Sequence, residues 1–350
     1  MRSRLPLVLA GLFALAATAL TLASGPRPGA RFTAQALVPA ARAELPSPAP
    51  PSLSALSALS ALPALTAPSP PAPPAIERAD AHLIRRFRAP LAGGLLTFPP
   101  SFASEDGRYD LVLHFNGNTD LVEESYGHAG VNAVVMILNL GVGSGVYEDR
   151  FEDPAAFALI LARVQSVLTA RGLRSPRLGR VAVSGWSSGY GGVLKLLGQD
   201  ALFEKLDAVV LLDAIHCGYK PGTKILRPDQ LEPMRRFARK AMEGRALLSI
   251  AHSEIATIGY LDAHRTTDAV LEGVGLRRGW TTTGQEMPVL RTMVGVLPRA
   301  QMVPLTPLTE VHQGELHVRG YDGNGPITHM LHLVQMSTTA LPDLVRYWGR

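Results

Sequence analysis

Apolar positions along the chain fall into two alternating rhythms. Short branched runs at 94–98 and 109–115 predict strands, and the second is apolar enough along its length for a sheet covered on both faces. A short helix at 121–127 and a strand at 131–140 follow. Pro154 then opens a helix to position 170 that carries Phe157, Ile160, Leu161, Val164 and Leu168 on one side. The strand 180–184 enters a glycine-flanked turn and a helix bearing Val193, Leu194, Leu196 and Leu197. Beyond it the same reading gives strands at 208–212, 246–251 and 316–320, with helices at 230–242 and 266–272 and a last one from Pro326 towards position 347. The stretch 273–310 is poorly patterned. Strands alternating with helices predict a doubly wound, mostly parallel α/β sheet.

The first quarter of the chain changes that picture. Arg2 and Arg4 precede an apolar run over 5–23 broken only by Pro6, Gly11, Thr18 and Thr21, and Ser24-Gly25-Pro26 follows it. This pattern predicts an export signal over 1–23, either cleaved after Ala23 or kept as an N-terminal membrane anchor, and hence a periplasmic, secreted or membrane-tethered protein. From 45 to 75 the chain is almost wholly Pro, Ala, Ser and Leu and carries no charge. Proline fixes φ and donates no hydrogen bond, so 24–75 reads as a disordered linker and 76–350 as the folded domain. Cys217 is the only cysteine, so no internal disulfide forms.

The formal net charge of +5 comes from scattered arginines. Arg235, Arg236, Arg239 and Lys240 cluster, but Leu231, Met234, Phe237 and Ala241 alternate with them at helical spacing, which predicts the solvated face of an amphipathic helix. No aromatic interleaving points to nucleic acid. No HExxH pair occurs and the histidines are dispersed, so no metal or other cofactor is expected. Gly141-Val142-Gly143-Ser144-Gly145 follows a strand but lacks the spacing of a dinucleotide loop.

Candidate chemistry centres on Gly185-Trp186-Ser187-Ser188-Gly189, where a strand ends and a helix begins. A serine hydroxyl gains access when a sharp turn lifts it above a sheet, and such a turn needs small residues two positions to either side. The same turn aims the Ser188 amide and the start of a helix at whatever sits over Ser187, which favours developing negative charge. With 33 glycines in the chain the pattern alone is weak. Its place at the junction of strand and helix gives it weight.

With this elbow, the His114-Phe115-Asn116-Gly117-Asn118 turn and the chain order Ser, acid, His, the chain from about Gly93 onward resembles the α/β-hydrolase superfamily. The resemblance implies Ser187 as nucleophile and a base between the last strand and the last helix, where His329 is nearer the strand end than the alternative, His332. It also implies a second oxyanion amide besides that of Ser188, often in a His-Gly motif. Here Asn116 separates Phe115 from Gly117, which leaves Asn116, Gly117 and Asn118 as donors. Asp213, ending an apolar strand where an unpartnered carboxylate would be costly, is the first candidate acid. Glu254 is the alternative, followed by Asp262, Asp268 and Asp322. The expected reaction is cofactor-free hydrolysis of an ester in a small-molecule or polymeric acyl substrate. Amide or peptide hydrolysis on the same triad, and an inactive exported binding module, are the competing readings.

Overall fold

The computed structural model describes residues 87–350. The expected export segment and linker, and the expected domain start at Ile76, lie outside them. A hairpin comes first: β1 (Arg88–Leu91) and β2 (Gly94–Thr97) are joined by Ala92 and Gly93, both at positive φ, the turn that matches the twist of paired strands. Next come β3 (Arg108–Phe115), α1 (Thr119–Ala129), β4 (Val134–Leu138), α2 (Gly145–Arg150), α3 (Ala155–Ala170), β5 (Arg177–Trp186) and α4 (Tyr190–Leu197). They are followed by α5 (Asp200–Phe203), β6 (Ala208–Leu212), β7 (Cys217–Gly218), α6 (Pro228–Met242), β8 (Leu247–His252), β9 (Tyr260–Leu261) and α7 (Ala263–Glu272). The chain ends with β10 (Gly279–Trp280), β11 (Pro307–Gln313), β12 (Leu316–Tyr321), α8 (Pro326–Val334), α9 (Met336–Thr339) and α10 (Leu341–Trp348).

Ten strands form one sheet in the order β1-β2-β4-β3-β5-β6-β8-β12-β11-β10. The six central strands, β4 to β12 in that order, are parallel, and antiparallel pairs close both edges. Period-two alternation divides the interior. Leu111, Leu113, Val134, Met136, Val181, Val183, Val209 and Leu211 face a core closed by α2, α3, α4 and α6. Val112, Val135, Ile137, Ala182, Val210 and Leu212 face a second core closed by α1 and by α8 to α10. The central parallel strands therefore bury both faces, which explains the unbroken apolar runs. The sheet is the doubly wound, mostly parallel one anticipated.

Three features depart from the sequence reading. The last helix is three short ones: Gln335 turns out of helical geometry, its side chain bonding Val303 O and the Leu305 amide, and Pro342 at the start of α10 supplies no amide to a preceding turn. The stretch 273–310 contains the edge strand β10 and the start of β11, which is half-buried with no continuous apolar run to mark it. Lys240 is buried rather than solvated, and its ammonium donates to the carbonyls of Phe203 and Leu206 at 3.4 and 3.1 Å.

Winding reverses at β3, which has β4 on one side and β5 on the other. In open α/β sheets the crevice at such a switch point, beyond the carboxyl ends of the strands, is where ligands bind. Phe115 pairs with Gly185, Trp186 with Leu212 and Leu212 with Ala251, so Asn116, Ser187, Asp213 and Ser253 all emerge at that edge.

Candidate active site

Ser187 leaves β5 at φ +54°, a left-handed conformation that costs a non-glycine residue on the order of 1–2 kcal/mol. Packing forces the turn. A Cβ on Gly189 would sit 2.1 Å from Phe115 O, and one on Gly185 would sit 3.2 Å from the carbonyl carbon of Gly189. Chain and sheet thus touch backbone to backbone, and Ser187 stands half-buried above them.

Asp213 repeats the device at the end of β6, with φ +46° and its amide on Ala251 O at 2.7 Å. Its carboxylate is buried and fully engaged. Oδ1 accepts from the Ser253 amide at 2.8 Å, the Ser253 hydroxyl lies 2.8 Å from both oxygens, and Oδ2 lies 2.7 Å from His329 Nδ1. Burial works against the Asp213 charge, but the nearby imidazoles of His332 and His329 and the Ser253 amide hold the carboxyl below the usual carboxylate range. The bond to Asp213 commits Nδ1 of His329 as donor and leaves Nε2 as the lone-pair nitrogen.

His329 sits in the first turn of α8, not in the loop before it. Trp186, the residue before Ser187, fixes its position: the rings stack with centroids 4.7 Å apart, and Trp186 Nε1 donates to His329 O at 3.0 Å. His329 thus contacts Asp213 on one side and, on the other, Trp186, the residue before Ser187. Among the described residues no hydrogen bond yet joins Ser187 Oγ to His329.

The alternatives make no such contacts. His332 is fully buried one turn further along α8, edge-on to the Tyr321 ring, with neither ring nitrogen bonded. Burial lowers its pKa to about 4, so it stays neutral and turned away from solvent. Glu254 is exposed and its side chain makes no bond to either histidine. Asp262 caps α7 through the Arg265 amide, Asp268 pairs with Arg278, and Asp322 is exposed.

The turn after β3 needs one correction. Asn116 is no oxyanion donor: its amide bonds Leu138 O at 2.9 Å, and its side-chain Nδ2 donates to Trp186 O and Ser188 Oγ at 3.1 and 3.2 Å. It ties the turn to the elbow instead. His114, buried beneath, donates from Nε2 to Asn116 O at 3.0 Å and meets Ser184 Oγ and Tyr126 OH through Nδ1. Burial brings its pKa to about 4, and the neutral ring serves as a fixed strut. Asn118 caps α1 by accepting from the Leu121 amide at 3.0 Å, and Gly117, at φ +141°, stays beside Ser188 as the remaining candidate donor.

Two groups that the sequence did not single out complete the edge. Ser253 cradles Asp213, and no local pattern marks it because the contact depends on β6 and β8 being neighbours. Ser144 Oγ lies 3.1 Å from His216 Nε2, whose Nδ1 donates to Ala214 O. The His216 ring packs edge-on to Tyr190 and Tyr260, joining the loops after β4, β6 and β8. Cys217, next in the chain, is a buried thiol in the first core, its pKa raised by burial.

The strand order, the six parallel central strands flanked by helices and the strand–elbow–helix turn at Ser187 make this an α/β-hydrolase fold. The chain is similar to an S-formylglutathione hydrolase from Agrobacterium tumefaciens, at 12% identity, covering 75% of this chain and 96% of that one with a TM-score of 0.36. It is also similar to DphMB1, at 16% identity, covering 48% of this chain and 65% of that one with a TM-score of 0.29. No family model and no curated protein matches it.

Proposed function

We propose that the protein is a serine hydrolase that cleaves carboxylic esters through an acyl-enzyme. The observation that carries the reading is a His329 whose Nδ1 is held by the Asp213 carboxylate and whose ring stacks on Trp186, directly before the strained Ser187. In this mechanism His329 Nε2 takes the proton of Ser187 as Oγ attacks the ester carbonyl. The tetrahedral oxyanion faces the amides of Ser188 and Gly117, and Asp213 stabilises the imidazolium. Collapse returns the proton to the leaving alkoxide. Water, deprotonated by the same nitrogen, then releases the acid. The hydrogen bond from Ser187 to His329 forms as substrate seats, since nucleophile–base contacts are commonly long in free enzymes.

That same open contact is what an inactive binding module would show, so kinetics must separate the two. The full-length chain is expected to hydrolyse a short p-nitrophenyl ester, and Ser187→Ala to reduce turnover to background. Asp213→Asn is expected to lower kcat roughly 10⁴-fold, because the histidine loses its fixed tautomer. A folded wild-type protein without activity over an ester and amide series would favour the binding module.

A further inference from the structure

Asp213 is supported from behind by an unbroken line of polar groups that the proposed chemistry does not use. Arg278, in the segment entering β10, has a side chain only 5% exposed. Its guanidinium pairs with Asp268 and reaches His264 and Thr309, and Nη1 lies 2.6 Å from Nε2 of the fully buried His252 at the end of β8. His252 Nδ1 lies 3.0 Å from Ser253 O, and Ser253 holds Asp213 through both its amide and its hydroxyl.

Only one proton arrangement fits this line. A guanidinium donates and never accepts, so His252 Nε2 must be the lone-pair nitrogen and Nδ1 must carry the hydrogen given to Ser253 O. The opposite tautomer, or an imidazolium, would break the contact with Arg278. An imidazolium would also place a second cation near Asp213, in competition with His329. The ionisable groups around His252 are Arg278 and His264 on one side and Asp213 on the other. Burial and then the Arg278 charge push the His252 imidazole down to about 3, in keeping with a ring that stays neutral.

We propose that Arg278 is a positioning residue for the acid of the site: through the fixed tautomer of His252 it orients Ser253 and so holds the Asp213 carboxylate against His329. The inference rests on the reading of Asp213 and His329 given above. Its first test does not depend on turnover. In the full-length chain with ¹⁵N-labelled histidine, with the His252 signals assigned by their loss in His252→Gln, His252 is expected in the neutral Nδ1–H form from pH 5 to 8. A neutral Nε2–H ring, or a charged one, in that range overturns the proposal whether or not an Arg278 variant folds.

The second test uses Arg278→Met. His252 is expected to titrate at higher pH than in wild type, and kcat on the short ester to fall about 10- to 100-fold with KM within about twofold, as misorientation of a catalytic group does. The pH–rate profile should gain an inflection that Arg278→Met combined with His252→Gln removes, since glutamine cannot be charged. An Arg278→Met profile that superimposes on wild type, or that is lowered equally at every pH, overturns the proposal. If wild type itself is inactive, the hydrolase reading fails, whereas the tautomer and titration of His252 are still read directly.

Discussion

Gly189 shows how much of the site rests on single atoms. A methyl group there would meet Phe115 O at 2.1 Å, a backbone atom held in the sheet, whereas at Gly185 the nearest atom is 3.2 Å away. Gly189→Ala is therefore expected to destabilise the chain by about 1–3 kcal/mol, and Gly185→Ala by less. Thermal unfolding checks the order, and equal midpoints for the two variants would contradict it. The need for both glycines was legible in the sequence because elbow spacing is local. The roles of Asn116, Ser253, His252 and Arg278 were not, because they follow from strand registers joining residues far apart in the chain, such as Leu212 with Ala251 and Gly320 with His252. Asn116 drew attention through its neighbours in the sequence, yet only Leu138 O shows that its amide is occupied.

At the scale of elements, helices with a clean apolar stripe and fully buried strands were legible: α3 and β6 lie where their patterns place them. Elements defined by partners rather than by pattern were not. The strand β11 is half-buried and polar, and the break between α8 and α9 depends on Gln335 reaching the loop at 303–305. The N-terminus of α1 also matters to the site, since Asn118, its cap, directly follows the turn with the Gly117 amide. Replacing Asn118 with alanine removes the bond to the Leu121 amide and is expected to cost about 1 kcal/mol, read from denaturant midpoints at unchanged slope. An unchanged midpoint would show that the cap adds nothing to this helix.

Across the whole molecule, three buried histidines set the response to acid. His114, His252 and His332 are fully buried, with pKa values lowered to about 4, 3 and 4. An unfolded histidine takes up a proton near pH 6.5, so between that pH and about 4 the unfolded chain binds more protons than the folded one, and stability falls as pH falls. Each group contributes on the order of 3 kcal/mol by pH 4. The depressed Asp213 adds a loss of the same sign only below the ordinary carboxylate range. The melting temperature should therefore hold above pH 7 and drop steeply from 6.5 to 4.5, and a flat profile there would contradict the buried neutral rings. One hydroxyl carries the proposed chemistry, and the chain treated with a fluorophosphonate, digested and mapped by mass tests it most directly. A single adduct on Ser187, lost in Ser187→Ala and formed far more slowly in His329→Ala, is the predicted result. A folded chain that stays unlabelled, or one labelled on Ser144 beside His216, would contradict the account.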